Sequence, residues 1–274
     1  MMQTVTDALA YLHAMGLDRL DAQLLALHVA GRPAHDRAWL LTHDTGTLPA
    51  PALASLQTLA QRRLQGEPIA YLTGHKAFYG LDLQVDARVL VPRPDTETLV
   101  DWALEVLAPT PNATVVDLGT GSGAIALALK HTRPALRVQA VDYSADALTV
   151  AQANAQRLGL EVAFAQGSWL SGVTGPFHAI VSNPPYIRED DEHMPALRHE
   201  PRQALTAGAD GLDDIRAIVD QARQRLLPNG WLLLEHGYDQ APAVRALLMA
   251  AGFTEVQSRQ DLAGIERCSG GNWA

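Results

Sequence analysis

Across about the first 70 residues, apolar positions recur at helical spacing. Leu9, Leu12, Met15 and Leu17 form one set, and Leu24, Leu25, Leu27, His28 and Val29 a second. Ala38 to Leu41 and Leu53 to Leu64 give two more amphipathic segments. Gly16, the run Gly31-Arg32-Pro33 and the stretch from Gly46 to Pro51 punctuate them. No period-two alternation interrupts this pattern, which predicts a small all-helical domain over residues 1–73. The rhythm then changes. Residues 76–92 alternate apolar and polar around Gly80, which predicts a β-hairpin, and residues 74–92 read as a linker. Pro94 opens a helix, with Asp95 and Glu97 suited to its positive dipole end.

From residue 113 onward short apolar runs alternate with amphipathic ones. Thr114–Leu118, Val138–Val141, Val162–Gln166, Ala179–Ser182 and Trp231–Glu235 are the expected strands. Ala124–His131, Ala145–Leu158 and Asp213–Leu226 are the expected helices between them. Such alternation predicts an α/β fold, a doubly wound, mainly parallel sheet covered on both faces, over residues 93–274.

Composition narrows the class. The 274 residues are 47% hydrophobic and 19% charged, enough for a buried core. A formal net charge of −9 argues against a protein that grips nucleic acid along its whole surface. The single cysteine, Cys268, excludes an internal disulfide and a Cys-rich zinc site, and the ten histidines show no metal spacing. The N-terminus lacks a basic start followed by an apolar run, so no signal peptide is expected. No stretch reaches the roughly 20 uninterrupted apolar residues of a membrane span. These features together predict a cytoplasmic protein with no membrane partner.

The first chemical signal is Asp117-Leu118-Gly119-Thr120-Gly121-Ser122-Gly123, which runs from an apolar strand into a helix. Glycines there let the backbone approach a ligand, and the helix start offers free N–H groups. The spacing is G-x-G-x-G, unlike the G-x-G-x-x-G dinucleotide fingerprint, which counts against a nicotinamide oxidoreductase. The next strand ends in Asp142, whose carboxylate can accept from both hydroxyls of a ribose. Both features fall at strand tips, where open sheets bind ligands. Strand, glycine loop and later acid resemble the class I methyltransferases. The resemblance implies S-adenosylmethionine as cofactor, held by Gly119, Thr120, Gly121, Ser122, Gly123 and Asp142. It also places the adenine segment at Gln166-Gly167-Ser168-Trp169. Many relatives carry an acid where Ser168 stands; Trp169 can supply a stacking face or simply fill the core.

The second signal is Asn183-Pro184-Pro185-Tyr186, directly after an apolar strand. The prolines stop the strand and fix a rigid corner. The residue types suit methyl transfer to a planar nitrogen, whose delocalised lone pair makes it a poor nucleophile. The Asn183 side-chain oxygen and the Pro184 carbonyl can each accept one N–H, which favours the tetrahedral cationic transition state. Tyr186 can stack on the planar group. Asn183, Pro184 and Tyr186 are therefore the expected catalytic residues. Asn183 to Tyr186 are the expected substrate contacts, and Asn183 and Trp169 border the cofactor as well. No metal is needed, because the sulfur that departs is already cationic in the donor and leaves neutral.

The tetrapeptide alone does not choose among adenine, cytosine, guanine and glutamine. Four segments together resemble the release-factor glutamine methyltransferases (PrmC/HemK family): Val91 to Glu97, Asn183 to Ile187, Glu200-Pro201 with Ala204-Leu205 and Gly208 to Leu212, and Leu233 to Gly237. The helical first part matches that family's layout too. The resemblance implies methylation at N5 of the glutamine in the Gly-Gly-Gln motif of class 1 peptide-chain release factors. It also implies a substrate-recognition role for residues 1–73. The alternative is an amino-methyltransferase acting on a nucleic-acid base, which would share every catalytic residue. His199 replaces the Phe that often precedes Glu200-Pro201. The stretch Glu266 to Gly271 replaces a more apolar last strand and leaves its register open. Arg93 and Glu97 border the cofactor pocket or merely enter a helix. His236 reads as structural. Asp190, Asp191 and Glu192 read as a solvated loop, or as part of a substrate entrance.

Overall fold

The computed structural model describes residues 3–274, and the chain divides into two compact units, Met1–His75 and Lys76–Ala274. The first is helical: α1 (Val5–Ala14), α2 (Arg19–Val29), α3 (Arg37–Thr42), α4 (Ala50–Leu64) and α5 (Ile69–Thr73). Thr4 and Asp7 form a reciprocal capping box at the start of α1, and the Asp18 carboxylate caps α2. Gly74, at φ 78°, closes α5 in the left-handed region. Leu12, Leu25, Leu27 and Leu56 are fully buried in the core of this unit, while His28 lies outside it. An ion pair of 2.5 Å between Arg63 and Asp21 ties α4 to α2.

The hairpin is shorter than its sequence pattern predicts. Strands β1 (His75–Phe78) and β2 (Leu81–Gln84) turn through Tyr79 and Gly80, both at positive φ, as a tight hairpin turn requires. Beyond Gln84 the backbone N–H of Arg88 donates to Asp86 and breaks the extended run. Val85, Val89 and Val91 are nonetheless buried, so the alternation there marks a packed loop. Asn154, fully buried, clasps β2. Its Oδ1 accepts from Gln84 N at 2.7 Å, and its Nδ2 donates to the carbonyls of Gln84 and Ser122 at 2.9 and 3.0 Å.

After a 3₁₀ turn at Pro94–Thr96 come α6 (Glu97–Leu107), β3 (Thr114–Leu118), α7 (Ala124–Thr132), β4 (Arg137–Asp142) and α8 (Ala145–Leu158). They are followed by β5 (Ala163–Gln166), β6 (Phe177–Ser182), α9 (Asp213–Ala222) and β7 (Leu226–Glu235). The chain ends with α10 (Ala241–Ala250), β8 (Thr254–Gln260) and β9 (Glu266–Trp273). The seven-stranded sheet has the order β5-β4-β3-β6-β7-β9-β8, and only β9 runs antiparallel to its neighbours. The order reverses at β3, so the crevice beyond the carboxyl ends of β3 and β6 is the switch point where such sheets bind ligands.

Two boundaries differ from the sequence pattern. The helix expected to reach Leu226 stops at Ala222, because Leu226 already pairs with Phe177 as the first residue of β7. The last strand takes the place between β7 and β8, with Gly270 opposite Leu233. Its glycines are sterically required. A Cβ on Gly270 would meet Leu233 Cδ2 at 2.6 Å and Trp102 at 3.0 Å, so the α6 tryptophan occupies the room an apolar side chain would need.

Candidate functional site

The end of β3 is built around a buried carboxylate. Asp117 is fully buried, and its Oδ2 accepts from Thr120 Oγ1 at 2.6 Å and from Ala126 N at 3.1 Å. These bonds bend the glycine loop back over the strand. Gly119, Gly121 and Gly123 sit at φ 69°, 55° and 85°, a region that penalises any side chain. A Cβ on Gly123 would also meet Leu127 at 2.9 Å. From the neighbouring strand end, Asp142 accepts from Gly121 N at 2.8 Å through Oδ2 and from Ser144 N at 2.9 Å through Oδ1. Burial pushes the Asp142 carboxyl up, and those backbone donors oppose it. Each oxygen keeps a lone pair for a further donor.

Gly119, Gly121, Asp142, Trp169, Asn183 and Pro185 share one cavity of about 290 Å³. Trp169, itself at φ 53°, lies against Gly119, and Asp214 lines the same cavity. A cleft with bare backbone, a strand-tip carboxylate and an indole face fits a ligand that carries a ribose and a planar base. Thr120, Ser122 and Gly123 are not on its wall. The Thr120 hydroxyl is turned to Asp117, the Ser122 carbonyl to Asn154, and Gly123 caps α7.

A second cavity, of about 160 Å³, is lined by Pro184, Tyr186, Ile187, Arg93, Leu197 and Leu205, together with Leu90, Asn183 and Ala204. These last three line the first cavity too, so Asn183 stands in the partition between the two. Backbone bonds hold the tetrapeptide: Tyr186 N and Ile187 N both donate to Leu205 O, and Gln240 Nε2 donates to Tyr186 O. Burial and the nearby Glu235 raise the Tyr186 phenol well above its ordinary value, so it stays neutral.

Arg93 faces this second cavity, outside the lining of the first, and pairs with the buried Glu200 at 2.5 Å. Glu97 accepts from Tyr79 N, which makes it a clamp on the hairpin turn. His236 is buried with both ring nitrogens engaged, Nδ1 to the Gly237 carbonyl and Nε2 to Ser269 Oγ. Asp191 lines a third cavity beyond Tyr186, while Asp190 and Glu192 are outside its lining. Sequence reasoning missed Thr96 and Glu235. Asn183 Nδ2 donates to Thr96 Oγ1 at 3.2 Å. Glu235, 1% exposed, is pushed up to about 7, chiefly by burial. An apolar strand ending in an acid, the pattern that exposed Asp142, was its available signal.

Burial likewise pushes Asp117 from 3.8 up to about 7. The folded chain thus holds this proton more tightly than the unfolded chain. The stabilisation is complete below pH 3.8 and is lost as pH rises through about 7. Asp117→Asn, neutral at every pH, should flatten the decline in melting temperature across that window, leaving the share due to Glu235. An unaltered profile from calorimetry at several pH values would assign the decline to other groups.

Two family models match the chain: "PrmC N-terminal domain" over residues 3–74 and "Methyltransferase small domain" over residues 96–258. The release factor glutamine methyltransferase of Bordetella pertussis is 51% identical over 260 residues, 93% of this chain and 95% of the relative. That of Pseudomonas aeruginosa is 50% identical over 260 residues, 93% of each chain. A methyltransferase structure from Pyrococcus furiosus shares the fold at a TM-score of 0.54 and 19% identity, covering 79% of this chain and 98% of that one. With both of its units matched and half its residues shared with such relatives, the chain belongs to the release factor glutamine methyltransferase family.

Proposed function

We propose that this protein methylates N5 of the glutamine in the Gly-Gly-Gln motif of class 1 peptide-chain release factors, with S-adenosylmethionine as donor. The observation that carries this reading is the position of Asn183 in the wall between two cavities. The larger suits the cofactor. Its glycine backbone leaves room for the amino-acid part, Asp142 accepts from the ribose hydroxyls, and Trp169 offers a face to adenine. S-adenosylmethionine supplies a methyl group on a sulfonium centre whose sulfur departs neutral.

The smaller cavity takes the glutamine side chain. Its apolar lining suits the methylenes, and Tyr186 stacks on the amide plane. Asn183 Oδ1 and the Pro184 carbonyl each accept one amide N–H. Both bonds strengthen as the nitrogen becomes tetrahedral and cationic, so they stabilise the transition state more than the ground state. The proton shed afterwards is acidic enough for water to take. Residues 1–73 recognise the release factor, a reading supported by the family-specific helical match and by the absence of these residues from both cavity linings.

Three outcomes test this reading. Asp142→Ala should weaken S-adenosylmethionine binding by about 1–3 kcal/mol, the range for a charge-assisted hydrogen bond. Calorimetry with unchanged affinity in a folded variant would remove Asp142 from the site. A chain beginning at Gly74 should bind S-adenosylmethionine yet methylate release factor poorly; full activity would relieve the helical unit of its role. With purified release factor, mass spectrometry should find one methyl on the Gly-Gly-Gln glutamine, and Asn183→Ala should lower kcat by about 10²–10³. A kcat within a few-fold of the parent would overturn the chemistry assigned to the tetrapeptide.

A further inference from the structure

A side-chain amide has two nearly isosteric ends. Turning Asn183 by half a rotation exchanges its acceptor Oδ1 for its donor Nδ2 at little steric cost. Only one orientation presents an acceptor to the target nitrogen. The Thr96 hydroxyl, 3.2 Å from Nδ2, does not choose between them alone, because a hydroxyl both donates and accepts. A group that can only accept is needed behind it.

Glu235 in its ionised form is such a group. Strand β6 pairs with β7 in the register Ser182 opposite Leu234, which brings Asn183 and Glu235 to neighbouring positions at the sheet edge. Thr96 and Asn183 are close enough to Glu235 to favour its ionised form against the burial that opposes it. Thr96 and Glu235 are 4% and 1% exposed, and neither lines the two cavities. Glu235 Oε2 has no hydrogen-bond partner among the described residues, so this buried acceptor has spare capacity for donors. Asp95 and Arg267 are the other charges that act on it.

We propose that Glu235 and Thr96 are positioning residues that fix the polarity of the Asn183 amide. The carboxylate draws the Thr96 proton toward itself. The hydroxyl lone pair then faces Asn183 Nδ2, and Oδ1 is left pointing away from the carboxylate. A flipped amide would set Oδ1 against Glu235 and Thr96 with too few protons to share. The inference rests on the reading of Asn183 as the acceptor for the target amide.

Glu235→Gln keeps the shape but adds a donor, and Thr96→Val removes the relay. Each should lower kcat about tenfold or more, a cost of about 1.4 kcal/mol per decade. Cofactor affinity by calorimetry and the release-factor KM should stay within about twofold, as expected for an interaction lost mainly in the transition state. Thr96→Ser should recover most of the rate. The decisive readout is the double variant. In an Asn183→Ala background, Glu235→Gln and Thr96→Val should cost nothing further, because both act through the missing amide. A parental kcat for Glu235→Gln, or a further loss in the Asn183→Ala background, would overturn the inference and leave the role of Asn183 standing. A parental kcat for Asn183→Ala alone would instead overturn the reading beneath it.

Discussion

The ends of β3 and β6 are held together by one buried bond, and the site depends on it. Ser182 Oγ donates to Leu118 O at 2.7 Å, with Ser182 fully buried. Leu118 is the last residue before the glycine loop and Ser182 the last before Asn183. Parallel pairing in the register Leu118 opposite Ser182 places both strand ends at one level. A slip in that register would separate the glycine loop from Asn183. Strand order fixes which loops meet, and this side-chain bond reinforces how closely they meet.

Two buried carboxylates flank that junction, and each has an oxygen with no partner among the described residues, Asp117 Oδ1 and Glu235 Oε2. Burying such groups costs stability, which burial expresses by pushing both up to about 7. Asp117 spends its bonds on folding the glycine loop. Glu235 lies near Thr96 and Asn183. The cost of burial is thus incurred at the ends of both β3 and β7.

Much of this was legible in the chain. Alternation of apolar runs with amphipathic stretches gave the parallel core, and the strand-tip acid at Asp142 and the double-proline corner at Pro184 and Pro185 fall on two adjoining cavities. The failures share a cause: sequence pattern locates strand ends but does not give side-chain direction. Thr120 stands in the glycine loop, yet its hydroxyl is turned to Asp117. Thr96 lies 87 positions from Asn183 and meets it only because α6 begins beside the end of β6. Gly270 and Gly271 looked like a weakened strand, since nothing local announces Trp102 packed against the first or Phe253 and Val256 against the second.

The partition between the cavities divides the labour of the chain unequally. The larger cavity takes Gly119, Asp142 and Asn183 from strand ends that the sheet itself fixes, and borrows Arg88 to Leu90, Pro201, Gln203 and Ala204 from outside the sheet. The acceptor side takes Ile187, Leu197, Ala204 and Leu205 from the long segment between β6 and α9, and Leu90 and Arg93 from the loop after the hairpin. Neither stretch contributes a strand to the large sheet. Insertion or drift in these two stretches would therefore reshape the smaller cavity most, while the strand ends of the larger one stay in place. A lineage could in this way exchange an amide for another planar nitrogen while keeping the sheet-borne part of its site.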